Sequence, residues 1–246
     1  MPANVDPPCG SLRRSVQLWR LFRREQSDPA LFYSSLAQDS VRTVSRFGPL
    51  FGSTLLDVGG GPGYFRAAFE SAGSRYAAVD ADNGELAAAG QPGPNTVLGS
   101  GMALPVRDSA VDVCFSSNVL EHVPRPWLMA NEMVRVTRPG GLVVISYTVW
   151  WGPWGGHETA PWHYLGGRRA AARYARKHGA RPKNLYGTSL FPVTVGEGLA
   201  WARSCRAATL LAAEPRYLPS WTRAVIRVPI LREVATWNLL LVLRVQ

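Results

Sequence analysis

"LLDVGGGPGYF", Leu55 to Phe65, places four glycines and a proline in five consecutive positions directly behind a short apolar run. The apolar run reads as a buried strand, and the five positions after it carry almost no side chain. Gly59, Gly61 and Gly63 lack Cβ atoms, so a flat or extended ligand can press against main-chain N–H groups there. A strand, a glycine turn and a helix start in succession suit such a ligand. A dinucleotide fingerprint needs G-x-G-x-x-G, which would put its third glycine at position 64, where this chain has Tyr64. The glycines fall two apart instead, as D-x-G-x-G-x-G over Asp57, Gly59, Gly61 and Gly63. A nucleotide-dependent oxidoreductase is disfavoured.

Outward from this loop, strands alternate with helices. "TLLDV" (54–58), "RYAAVD" (75–80), "VDVCFSS" (111–117) and "LVVISY" (142–147) read as strands. "YFRAAFESAG" and "PWLMANEMVRVTRPGG" read as helices, the second ending in its "RPGG". Single helices between strands imply parallel neighbours joined by right-handed crossovers. Their near-continuous apolar character implies burial on both faces. Beyond Tyr147 the rhythm breaks: 148–192 hold Trp150, Trp151, Trp154, Trp162 and three histidines. A helix over "TVGEGLAWARS" and strands in "ATLLAAEPRYL" and "NLLLVLRV" restore it. Upstream, 11–26 fit a helix with Leu12, Ser15, Val16, Trp19 and Phe22 on one face and Arg13, Arg20 and Arg24 on another. A second helix runs from about 29 to 47.

The chain has 246 residues, enough for one sizeable α/β domain. Its net charge of +10 is uneven: +3 over 1–50, −4 over 51–159 and +11 over 160–246. Basic flanks attract phosphate, an anionic substrate or a membrane surface. An ordinary solvated face is preferred here to nucleic-acid binding. Cys9, Cys114 and Cys205 are odd in number and far apart, which implies reduced cysteines in a cytoplasmic protein. The first residues lack the apolar core of a secretory signal, and no run approaches the roughly 20 apolar residues of a membrane span. The expectation is a cytoplasmic protein whose 11–26 helix packs its apolar side onto its own domain, with peripheral contact of that basic helix to an anionic inner membrane face as the alternative.

Five blocks, in order over 54–147, resemble class I S-adenosylmethionine-dependent methyltransferases of the type 11 family. They are "LLDVGGGPG", "YAAVDAD", "GSGMALPVRDSAVDV", "SSNVLEHVPRPW" and "EMVRVTRPGGLVVIS". The whole chain is similar to mycobacterial methyltransferases of that kind. The resemblance implies an α/β, Rossmann-like, doubly wound fold: a mostly parallel seven-stranded sheet with an antiparallel last strand and a cap inserted after the fifth strand. It divides the chain into an N-terminal helical lid (1–50) and a methyltransferase domain (51–246), with the cap at about 148–192. It also implies S-adenosyl-L-methionine as cofactor. Asp80 would bind both ribose hydroxyls, which a carboxylate does better than an amide. Asp57 would hold the positive methionine end beside Gly59, Gly60, Gly61 and Gly63. Ala81, Ser100, Gly101, Met102 and Ala103 would border the ribose and adenine, with Ser100 where the family has an acid. Asn118 would border the methionine tail.

Methyl transfer to a hydroxyl needs a base, and histidine suits neutral pH. His122 in "LEHV", with Glu121 to orient it, is one candidate. His157 and His163 in "GGHETAPWHY" are others. Asn118, Glu121 and His122 are similar to an acid-x-x-acid-His metal pattern of quinone-pathway and small-RNA-end methyltransferases. Here the first acid is Asn, so the expectation is no metal, with a site completed by His157 or His163 as the alternative. The function expected is methyl transfer to a small-molecule or lipid- or sugar-linked acceptor at oxygen. The alternatives are a nucleic-acid methyltransferase and a non-catalytic membrane-surface protein that keeps the fold.

Overall fold

The computed structural model describes residues 10–24, 27–87 and 93–246, so Cys9 and the opening residues lie outside it. The strands are β1 (Thr54–Val58), β2 (Arg75–Asp80), β3 (Thr96–Leu98), β4 (Val111–Ser117), β5 (Thr137–Thr148), β6 (Ala208–Pro215) and β7 (Asn238–Val245). The helices are α1 (Leu12–Phe22), α2 (Pro29–Ser45), α3 (Arg66–Ser71), α4 (Asn83–Ala87), α5 (Pro126–Val136), α6 (Gly167–His178), α7 (Val195–Ser204) and α8 (Leu231–Ala235). One seven-stranded sheet runs β3-β2-β1-β4-β5-β7-β6. β1 to β5 pair in parallel, whereas β7 is antiparallel to both β5 and β6.

Period-two alternation sends successive side chains to opposite faces of the sheet. Val143, Ile145, Leu239, Leu241 and Leu243 pack with Met129, Met133 and Leu199 of α5 and α7. Leu142, Val144, Leu240 and Val242 pack with Phe32, Leu36, Val44 and Phe69 of α2 and α3. Helices on both faces make a three-layer, doubly wound sheet. The chain leaves β1 towards β2 and β3, then returns to β4 on the other side. That reversal opens a crevice at the carboxyl ends of β1 and β4, the usual ligand position in such sheets.

Three local expectations change. The helix before β5 stops at Val136 rather than in "RPGG". Thr137 is β-branched, its hydroxyl donates to the Met133 carbonyl, and Pro139 cannot extend a helix, so the segment pairs with Val111 as strand. The helix after the glycine loop begins only at Arg66. The expected apolar face of α1 is split: Ser15 is buried while Leu12, Val16 and Trp19 are exposed, and Leu18, outside that face, is buried instead. Arg14 rotates the helix inward, because its guanidinium makes two short bonds to buried Asp39 of α2 and a third to the Arg216 carbonyl.

Between β5 and α7 the chain adds short 3-10 turns at His157–Thr159 and Trp162–Leu165 together with α6, and no strand of the main sheet. Among the described residues no helix is long and apolar enough to cross a membrane.

Candidate active site

The loop after β1 bends through positive φ at Gly59 (+81°), Gly61 (+49°) and Gly63 (+85°). At Gly59 the reason is also steric, since a Cβ there would lie 2.4 Å from Val119 Cγ2. At Gly61 nothing lies within 4 Å of that position, so the loop's backbone borders open space. Gly60 turns inward over Ala78 and Asp57.

Asp80 ends β2 beside this space. Its Oδ2 accepts from the Gly61 N–H (2.8 Å) and its Oδ1 from the Asp82 N–H (2.9 Å). An ionised carboxylate offers about four lone-pair sites, so two remain for a diol. Ala81, next in the chain, is exposed. Asp57 lies beneath the loop instead of in the open groove. It is 1% exposed and accepts from the Tyr76 hydroxyl at 2.5 Å. Burial pushes its carboxyl up to about 7, against the opposing pull of the Tyr76 bond.

The turn after β3 carries Ser100 to Ala103. The Ser100 hydroxyl accepts from the Met102 N–H, so Ser100 organises its own turn. Gly101 sits close to Met129, Met102 is half-buried against the core, and Ala103 is exposed. Arg135 of α5 clamps the next few residues by donating to the carbonyls of Leu104 and Val106 and to the carboxylates of Glu132 and Asp108. Past β4, Asn118 takes φ +58°. Its Oδ1 accepts from Asn238 Nδ2 (2.8 Å), and its Nδ2 donates to the Tyr217 hydroxyl (3.2 Å).

Glu121 and His122 come next in a 3-10 turn, Leu120–His122. Glu121 is 1% exposed; its Oε1 accepts from the Thr148 N–H while its Oε2 has no partner. His122 Nδ1 lies 2.7 Å from the Ser189 carbonyl, which can only accept, so that nitrogen carries the proton. The cap brings in His157, whose ring meets that of His122 at 5.1 Å. Ligand atoms of Glu121, His122 and His157 all lie within 4.8 Å of one another. Burial lowers the pKa of His157, partly offset by Glu121. His163 is outside this group: fully buried in the cap, it faces the Gly152 carbonyl and packs on Trp150 and Tyr164.

Residues 56–145 match the methyltransferase domain family. An uncharacterized methyltransferase of Mycolicibacterium paratuberculosis is 57% identical over 246 residues, 96% of each chain. One of Mycobacteroides abscessus is 54% identical, over 95% of each. This chain belongs to that methyltransferase family. The fold of the methyltransferase also matches solved structures. An S-adenosylmethionine-dependent methyltransferase of Mesorhizobium loti has a TM-score of 0.58 at 20% identity, covering 84% of this chain and 97% of that one. A methyltransferase of Aquifex aeolicus scores 0.52 at 14% identity, over 94% and 98%. The protein is a class I S-adenosylmethionine-dependent methyltransferase, and S-adenosyl-L-methionine is its cofactor. The open backbone at Gly61 and the unused lone pairs of Asp80 fit the donor's extended, hydroxyl-bearing shape.

Several residues that shape the methyltransferase's site give no signal in the sequence. Tyr76 holds Asp57 from the next strand, and its place in "RYAAVD" gives no sign of that. Tyr33 of α2 stacks at 5.0 Å on Tyr64, next to the glycine loop. Phe22 of α1 touches Trp154 of the cap and Trp237. Tyr217 and Asn238 lie about a hundred residues from Asn118 in the chain, so no local pattern links them.

Proposed function

We propose that the enzyme moves a methyl group to a hydroxyl oxygen of a small-molecule or lipid- or sugar-linked acceptor. The observation that carries this reading is the gathering of ligand atoms of Glu121, His122 and His157 within 4.8 Å of one another, the first two in a turn whose preceding Val119 lies against Gly59 of the glycine loop. When bound, the donor supplies an electrophilic methyl on a sulfonium. The bare backbone of the glycine loop, open at Gly61, and the Asp80 carboxylate hold its amino-acid and ribose parts, with Asp57 supporting the loop from below. Met102 and Ala103 flank its base, with Asn118 near its tail.

A hydroxyl must lose its proton as its oxygen attacks, and the Glu121–His122–His157 group promotes that loss. The proton on His122 Nδ1 leaves Nε2 with its lone pair, ready to accept. The lid formed by α1 and α2 and the aromatic cap then exclude water, through the Tyr33–Tyr64 and Phe22–Trp154 contacts. The exposed Leu12, Val16 and Trp19, flanked by Arg13, Arg20 and Arg23, extend the reading to peripheral contact with an anionic membrane.

Steady-state kinetics with candidate hydroxylated acceptors test the proposal. His157→Ala should lower kcat by about 10²-fold or more while donor affinity changes little, the split expected of a group that acts in the transition state. Equal losses in both would assign His157 to structure alone.

A further inference from the structure

We propose that Glu121, His122 and His157 form a binding site for one divalent transition-metal cation. The inference rests on the hydroxyl-transfer reading above and gives those three residues a definite role. Three observations carry it. Glu121 Oε2 is buried and has no hydrogen-bond partner, although its sister oxygen is tied to the Thr148 N–H. A buried carboxylate oxygen left so is costly to desolvate unless a donor or a cation meets it. Two imidazoles stand beside it, yet neither satisfies it by a hydrogen bond. Finally, His122 donates its Nδ1 proton to a backbone carbonyl, which orients the ring and exposes the Nε2 lone pair. Metal-ligating histidines are usually held in that way.

The donor atoms lie within 4.8 Å of one another, against about 3–3.5 Å for ligands bonded at about 2.1 Å around one ion. His157 is the member free to close that difference, because its ring hydrogen bond to the Gly155 carbonyl sits at 3.5 Å. The set comes from two places: the turn after β4, and the cap after β5. The residue at 118 takes no part, since Asn118 is bonded to Asn238 and Tyr217. Two imidazoles and one carboxylate select Zn²⁺, Mn²⁺, Fe²⁺ or Co²⁺ over Mg²⁺ or Ca²⁺, which prefer all-oxygen sites. Three protein ligands leave coordination positions for an acceptor oxygen, whose proton a cation makes easier to lose.

Titration of the untagged, metal-stripped protein with Co²⁺, followed by its visible absorption, reads the site without any turnover. The expected result is one equivalent bound, with the same stoichiometry for Zn²⁺ by calorimetry. Glu121→Gln and His157→Ala should each weaken binding at least 100-fold. His178→Ala, at the exposed end of α6, should leave it unchanged. A wild-type protein that takes up no stoichiometric ion overturns the proposal, whether or not the variants fold. So does binding that survives both substitutions. S-adenosylhomocysteine is titrated into the same samples. A protein that binds this nucleoside but no ion sinks the metal site alone, and leaves the imidazoles as bases. One that binds the ion but not the nucleoside supports the metal site and overturns the methyl-transfer reading instead.

Discussion

Asp57 and Asp80 show how two carboxylates near one loop come to differ. Asp80 stands at the mouth of the crevice with lone pairs to spare, while Asp57 is sealed under Gly60 with Tyr76. A carboxyl raised from 3.8 to about 7 binds a proton in the folded state that the unfolded chain gives up near pH 4. Its contribution to stability is therefore complete below pH 4 and is lost as pH rises through 7. A donor carrying positive charge favours the ionised form, so its binding should release protons near pH 6–7 and tighten as pH rises. Calorimetry in buffers of different ionisation heat measures this directly. Asp57→Asn should abolish the proton release and raise the Tm at pH 8. Asp80→Asn keeps an acceptor for the Gly61 N–H but loses the charge, and should weaken donor binding about tenfold. The turn at the glycine loop and the place of Asp80 at the end of β2 were legible because they are local, while the ligand roles given to them rest on the family resemblance. The depth of Asp57 was not, because it depends on Tyr76 from another strand. His157 was only one of two candidate histidines in "GGHETAPWHY" until the chain was folded, since an irregular segment has no period to read.

At the scale of elements, propensity and pattern located the strands well and the helix faces less well. α1 is the instructive failure. Its amphipathic pattern puts Leu12, Val16 and Trp19 inward, yet a buried ion pair sets the rotation. Removing one partner of such a pair leaves the other charge stranded, so Arg14→Ala should cost about 3–5 kcal/mol in denaturant unfolding. The clamp by Arg135 was equally invisible, because its targets lie 27 to 31 residues upstream. Arg135→Ala should speed amide exchange over 103–108 and weaken donor affinity, with the strands unaffected; exchange measured by mass spectrometry checks it.

For the whole molecule, the reversal of strand order at β1 and β4 gathers residues from 57 to 157 at one edge. The alternation of strands and single helices already implied parallel neighbours, while the doubly wound order came from the family resemblance. The sequence did not hold the contact of Phe22 of α1 with Trp154 of the cap, made across 132 residues of chain. The charge asymmetry also takes on meaning at this scale. Arg13, Arg20 and Arg23 accompany the exposed stripe of α1, and vesicles rich in anionic lipid should sediment the protein where neutral ones do not. Trp19→Ser should reduce that binding without altering the fold.

The central claim is that this crevice holds a methyl donor by bare backbone and the Asp80 carboxylate. Calorimetric titration with S-adenosylhomocysteine, for the wild type and for Asp80→Ala confirmed as folded, tests it most directly. The account predicts one site, an affinity about 10- to 150-fold weaker in the variant, and no binding of a nicotinamide dinucleotide. Equal affinity in the two proteins, or uptake of the dinucleotide in place of the nucleoside, would contradict it.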